Sequence, residues 1–334
     1  MSLRIASVTG GGHCPGINDV FANLIDLCQG HQLFGYENGW KGLSEDYLCD
    51  LSDRDLISRF SASTSSYLGT SRLDPFKAGN EEHLRWIQKA LKKFDCLIAV
   101  GGEDTLGVAS KLSDLGFPVI GIPKTLDNDL PETDYAIGFM TVVDNSIRAI
   151  LNARDSAFAH QRIEVVETLG RHAGWLALYA GVSSFADWIV LPEFPLDVDA
   201  MCKHFTSRNA VSGLVVCAEN VKPDGCNEAK VLDGFDHELL RERGVARILA
   251  KVIQEKTGIE TRWTQLGDSV RGGFPNAFDK ILARRFAKHA LQLAESGNFG
   301  RMVAIKNDVV TDVPLSCARG IKMVPAETVR ALWR

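Results

Sequence analysis

A short apolar run, a glycine-bearing loop and a helical stretch follow one another repeatedly along this chain, and that order restricts the fold more than any other feature. Leu3 to Val8 reads as a strand, residues 10–16 as a glycine-rich loop, and Ile17 to Cys28 as a helix by the spacing of its apolar residues. The unit returns with Cys96–Val100 as strand, Gly101–Thr105 as loop and Leu106 to Leu115 as helix. Val119–Ile122 makes a third strand. Later strands are predicted at Ile163–Val166, Trp188–Leu191, Leu214–Cys217 and Met302–Ile305, with helices over 134–159, 174–181, 198–208, 237–257 and 277–295. Such alternation predicts an α/β fold of parallel sheets covered by helices. Ligands in these folds bind where strands run into loops, which directs attention to the glycine loops. Pro223-Asp224-Gly225 is the clearest surface turn, and composition marks no linker.

A chain of 334 residues, 45% hydrophobic and 24% charged, is large enough for two domains or one large α/β unit. A net charge of -5 leaves no basic stripe for a nucleic-acid backbone, and no apolar run approaches the roughly 18 residues that a membrane span needs. The start, Met1-Ser2-Leu3-Arg4, lacks the features of a signal peptide, so the expected compartment is the cytoplasm. The eight cysteines show no Cys-x-x-Cys and no zinc-like spacing with histidine, which argues against a metal or disulfide framework.

The segment Gly121–Asp129 (Gly-Ile-Pro-Lys-Thr-Leu-Asp-Asn-Asp) follows the third strand and carries two carboxylates and a lysine. Phosphoryl transfer to a hydroxyl needs such groups: Asp127 to take the proton, Asp129 to hold magnesium and Lys124 to neutralise phosphate. The same triplet also suits an ordinary turn. Thr9–Gly16 is neither the Gly-x-Gly-x-x-Gly dinucleotide pattern nor a P-loop, yet its amides, those of Gly11 and Gly12 included, lie bare beside a helix start and suit an anion. Glu103 and Asp104 at a phosphate site require a divalent cation or a lysine nearby. Arg72 and Arg171 each follow a short segment with small residues and suit a phosphoryl clamp. His13 reads as a loop filler, and His172 and Trp175 as packing at a helix start.

Taken together, Thr9–Asn18, Gly69–Arg72, Gly101–Thr105, Pro123–Asp129, Glu167–Trp175 and Leu266–Asp279 resemble, in order, the motifs of the phosphofructokinase family. The resemblance implies two α/β domains with the site in the cleft between them. Residues 1–137 with 272–305 would form the donor domain, and 138–271 with 306–334 the acceptor domain. It implies Asp127 as base, Glu103 and Asp129 on magnesium, Arg72 and Arg171 on the donor, and Thr125 on the transferred group. The sugar site would take Arg162, Leu169, Gly170, Glu219, Arg262 and Arg271. Arg162 and Arg262 would reach in from a neighbouring subunit, so a homodimer or homotetramer is expected.

The ATP-using members of that family resemble Gly-Gly-Asp-Gly-Ser in the second loop and have glycine before Thr-Ile-Asp-Asn-Asp. This chain has Asp104 and Lys124 instead. A carboxylate in the path of an α-phosphate adds bulk and repulsion, about 4 kcal/mol at 4 Å for an effective dielectric of 20. The Asp/Lys pair marks the pyrophosphate-dependent branch, so pyrophosphate is the expected donor, with a sugar phosphate as acceptor. Three positions depart from the family: His13 and Glu103, where aspartate is usual, and Asp268, where many members place a histidine on the sugar 6-phosphate. Asp268 leaves three acceptors open: fructose 6-phosphate, another sugar phosphate, or an unphosphorylated polyol. An ATP-using relative and a non-catalytic sensor are the remaining alternatives.

Overall fold

The computed structural model describes residues 2–224, 232, 234–236, 240 and 243–333. The strands are β1 (Arg4–Thr9), β2 (Gln32–Tyr36), β3 (Leu48–Asp50), β4 (Cys96–Gly101), β5 (Val119–Thr125) and β6 (Ile137–Gly138), then β7 (Ile163–Thr168), β8 (Trp188–Val190), β9 (Gly213–Ala218), β10 (Thr261–Gln265), β11 (Arg301–Lys306) and β12 (Val309–Pro314). The helices are α1 (Ile17–Leu27), α2 (Gly39–Glu45), α3 (Leu56–Ala62), α4 (Glu81–Leu91), α5 (Glu103–Asp114) and α6 (Phe139–Ala159), then α7 (Trp175–Ser183), α8 (Val198–Ser207), α9 (Val245–Thr257), α10 (Ala277–Glu295) and α11 (Ala326–Leu332).

Two sheets result. One has eight strands in the order β12-β11-β5-β4-β1-β2-β3, with β6 beside β5; the other has four, in the order β10-β7-β9-β8. Strands β1, β4, β7 and β9 are buried along nearly their whole length because helices cover both faces. In the large sheet, α1 and α10 pack together on one face, where Phe21, Leu24, Leu282 and Phe286 are fully or almost fully buried. Each such side chain contributes roughly 1.5–3 kcal/mol of burial. α5 lies in the second core cluster, with Leu106, Ala109 and Leu112 buried.

Register decides what these sheets can do. Thr9 pairs with Val100 and Gly101 with Pro123, so β1, β4 and β5 end level and their loops lie side by side. In the small sheet, Glu167 pairs with Gln265 and Thr168 with Ala218, which aligns the loops after β7, β9 and β10.

Three expectations change. The sheets are not wholly parallel: β3 runs antiparallel to β2, and β12 to β11. Asn307 and Asp308 between β11 and β12 both have positive φ, 50° and 61°, the backbone of a two-residue hairpin turn. The Asn-Asp pair between two strand-like runs was the available signal. The tail 306–334 therefore does not belong as a block to the acceptor side: β12 completes the large sheet, and Leu315 and Ala318 are buried in the same core cluster as α5. Only beyond Gly320 does the chain cross back, ending with Trp333 edge-on to Trp188 of the small sheet. The helix predicted over 134–159 starts at Phe139, because Ile137 and Gly138 pair with β5. Of the helix predicted over 237–257, Val245–Thr257 is helical; residues 237–239 and 241–242 lie outside the described residues, as does Gly225 of the predicted turn.

The two earlier crossings are tied to each other. Buried Asp279 accepts the backbone N–H of Gly138 (2.9 Å), the N–H of Thr141 (2.8 Å) and the Thr141 hydroxyl (2.5 Å), so the returning chain caps the outgoing α6. No helix among the described residues is long and apolar enough to cross a membrane.

Candidate active site

The aligned loops of the two sheets line a cleft of about 360 Å³. From the large sheet come Gly11, Gly12, His13, Arg72, Glu103, Asp104, Lys124, Thr125, Asp127 and Asp129; from the other side come Leu169, Arg171, His172, Glu219, Asp268 and Arg271. Residues more than 250 positions apart in sequence thus meet in one space.

The glycine loop is built for close approach. Gly11 has φ +81°, a backbone that side chains rarely adopt. A Cβ on Gly10 would stand 2.6 Å from Thr105 Oγ1, so the loop lies directly on the start of α5. Lys124 threads beneath it. The residue is 2% exposed, its ammonium donates to the carbonyls of Gly10 (3.1 Å) and Gly12 (3.0 Å), and burial first, then the nearby Arg271 charge, lowers its pKa. One lysine thereby shapes the loop as well as charging the cleft, a structural role that its place in the motif did not reveal.

The turn reading and the site reading of 127–129 both apply. Asn128 sits at φ 51°, a left-handed conformation that asparagine tolerates, and separates the two aspartates. Its side chain donates to the Asp134 carbonyl (3.0 Å) and accepts from the Ala136 N–H (3.0 Å), closing the loop 128–136. Asp127 lines the cleft, and its N–H donates to the Thr125 hydroxyl (3.2 Å). Asp129 is 3% exposed. Burial first, then the Asp127 and Glu103 charges, pushes its carboxyl well above the usual range. A buried acid facing two others is the setting in which a cation is most favourable. The hard oxygens of Glu103 and Asp129 suit magnesium, which usually takes one or two protein carboxylates and completes its shell with substrate phosphate and water. No group of three or more metal-ligating side chains occurs among the described residues.

Adjacent residues face adjacent residues across the cleft. Arg171 lies 3.9 Å from Asp104 and His172 lies 3.9 Å from Glu103. Glu103 and Asp104 occupy the first turn of α5, where the helix dipole favours negative charge. His172 is therefore a cleft residue and not merely packing at a helix start, and His13 also lines the cleft, its pKa lowered by burial and then by Lys124 and Arg271. No spacing in the sequence announced either histidine.

On the acceptor side, Glu219 accepts the N–H of Gly170 (3.2 Å), and Gly170 needs to be glycine because its φ is +145° and a Cβ would meet the Ala173 carbonyl at 2.7 Å. Burial, reinforced by the Asp127 charge, pushes the Glu219 carboxyl up to about 7. Arg271 pairs with Asp268 at 2.8 Å and leans over Gly12. Arg162 and Arg262 do not reach this chain's cleft. Both hold Glu260, at 3.0 and 2.8 Å, on and beside the edge strand β10.

A family model described as phosphofructokinase matches residues 4–294. A relative from Dictyoglomus thermophilum, named pyrophosphate–fructose 6-phosphate 1-phosphotransferase, is 40% identical over 329 residues, covering 95% of this chain and 94% of the relative. Another, from Corynebacterium efficiens and named ATP-dependent 6-phosphofructokinase, is 36% identical over 338 residues, 98% of this chain and 96% of the relative. The solved structure of the pyrophosphate-dependent phosphofructokinase from Nitrosospira multiformis superposes with a TM-score of 0.82 at 23% identity, covering 98% of this chain and 87% of that one, a likeness of fold.

Proposed function

The chain belongs to the phosphofructokinase family, and on that premise we propose that it transfers a phosphoryl group from pyrophosphate to the 1-hydroxyl of fructose 6-phosphate or a related sugar phosphate. Relatives of similar identity carry the names of both donors, so the donor reading rests on residues. The observation that carries it is the buried Lys124 ammonium under the glycine loop, with Asp104 beside Arg171 at the start of α5. In this reading their bulk and charge would stand in the path of a nucleotide's α-phosphate, while the lysine would keep positive charge for a short donor.

In this reading Asp127 accepts the proton of the attacking hydroxyl, and Thr125 holds the group in transfer. Lys124, Arg72 and Arg171 bear the charge that spreads over the phosphoryl oxygens. Glu103 and Asp129 would hold magnesium, which supplies further charge neutralisation when bound. Leu169, Gly170, Glu219 and Arg271 would orient the sugar. Closing the cleft excludes the water that would otherwise hydrolyse the donor. A phosphoanhydride of this size and a phosphate ester lie close in transfer potential, so the reaction would run in both directions.

The position of Arg162 and Arg262 with Glu260 at a sheet edge, outside this chain's cleft, supports their service to a second subunit's site, and hence a homo-oligomer. A second acceptor reading draws on the Asp268–Arg271 pair: an arginine already neutralised favours an unphosphorylated polyol. The deciding experiment measures transfer from pyrophosphate and from ATP, with magnesium, to fructose 6-phosphate, sedoheptulose 7-phosphate, free sugars and polyols. Turnover with pyrophosphate and a sugar phosphate is expected. Turnover only with ATP, or only on unphosphorylated acceptors, overturns the corresponding half of the proposal.

A further inference from the structure

The segment from Gly320 to Pro325 has no regular secondary structure, yet it is bonded to both sides of the cleft. The backbone N–H of Lys322 donates to the Asp129 carbonyl at 2.6 Å, on the donor side. Its own carbonyl accepts the indole N–H of Trp175 at 2.7 Å, at the start of α7 and four residues beyond Arg171. The Lys322 ammonium turns back to the donor side and donates to the carbonyls of Thr133 (2.7 Å) and Asp134 (3.2 Å), while lying 5.2 Å from the Trp175 ring centroid. Two residues on, the Val324 N–H donates to Glu193 Oε1 (3.0 Å), which also accepts the N–H of Gly174 (2.9 Å).

An anchor for the chain end would need only one of these attachments. Val324, 3% exposed, and the Trp333–Trp188 contact already provide one on the acceptor side. Lys322 instead bonds one loop, 129–134, through three carbonyls and the opposite element through an indole. The Asp134 carbonyl that it shares with Asn128 is the point where the loop carrying Asp129 closes. The elements it joins bear the acid Asp129 on one side and, directly before Trp175, the Arg171-His172 pair on the other.

We propose that Lys322 is a positioning residue that sets the separation between the Asp129 loop and the Arg171–Trp175 segment, so that the C-terminal strap couples the two sides of the cleft. The inference rests on the proposed function only for its kinetic consequence. Its structural consequence is independent of any substrate.

The test uses the full chain with Lys322→Met, Lys322→Arg and Trp175→Phe. Hydrogen exchange is read without ligand. In Lys322→Met, amides in 126–136 and in 170–178 should exchange about tenfold faster together, with Lys322→Arg restoring most of the protection and Trp175→Phe giving a smaller change at both places. Magnesium pyrophosphate binding, by calorimetry, should weaken about tenfold in Lys322→Met, and kcat should fall about as much with little change in the acceptor KM. Faster exchange confined to residues 320–333, or to one side of the cleft, overturns the coupling. The coupled exchange change in Lys322→Met, together with no affinity of the wild-type chain for pyrophosphate, overturns the donor reading and leaves the strap standing.

Discussion

On the side of the cleft formed by β1, β4 and β5, two charged groups are packed away from solvent: Lys124 is 2% and Asp129 3% exposed, and backbone carbonyls hold the lysine in place. On the side of the four-stranded sheet, the side chains of Asp268 in the cleft and Arg262 outside it are 81% and 61% exposed, and Arg162, Arg262 and Arg271 are each paired with a neighbouring acid. A buried, fully bonded charge cannot be exchanged without rebuilding its surroundings. An exposed ion pair contributes about 0–1 kcal/mol and rearranges readily. On the proposed function, donor choice would be built into the core of this protein, and acceptor choice into groups that a ligand can redirect.

Four variants would break or sharpen that contrast. Asp127→Ala should lower kcat by about 10³-fold, within the range for a lost general base, while acceptor binding stays close to wild type by calorimetry. Full activity would remove Asp127 from the chemistry. The paired change Asp104→Gly with Lys124→Gly should raise the ratio of kcat/KM for ATP over pyrophosphate by about 10²-fold. Because the Gly10 and Gly12 carbonyls lose their donor, it should also cost about 2 kcal/mol in urea unfolding. A stability loss without a change in donor ratio would make Lys124 structural only.

Glu219 tests whether the acceptor side also holds a buried charge. Its carboxyl titrates near 7 in the folded protein against 4.5 when unperturbed. Between those values the folded state keeps a proton that the unfolded chain has released, so this group's contribution to stability is lost as pH rises through the window. Glu219→Gln should therefore gain on wild type from pH 4.5 to 7.5, by at most about 3 kcal/mol, and the difference should then level off. A pH-independent difference would mean that Arg271 compensates the charge fully. The smallest effect is expected for Asp268→Asn, which removes an exposed acid from Arg271: the KM for a sugar phosphate should fall about two- to fivefold with the pyrophosphate KM unchanged. A higher KM would mean that Asp268 holds acceptor hydroxyls.

Much of the large sheet was legible because its information is local. Strands β1 and β4 are apolar runs that end in glycine loops, and both properties are set by residues within a few positions of one another. The same holds for Lys124, Thr125, Asp127 and Asp129, which one strand end and one turn deliver together. The short strands β2, β3 and β12 passed unnoticed, since three to six residues of mixed polarity carry little periodicity.

By itself, then, the sequence determined the alternating α/β order, the glycine loops and the phosphoryl-transfer motif, since backbone preference and burial pattern are properties of neighbours. Tertiary structure alone decided that Arg171 and His172 face Asp104 and Glu103, that Arg162 and Arg262 turn to Glu260, that β12 returns the tail to the large sheet, and that Lys322 joins the two sides of the cleft. These are single pairings between distant residues. They leave no repeat or spacing in the chain, and they exist only once strand register and the crossing connections bring the loops level.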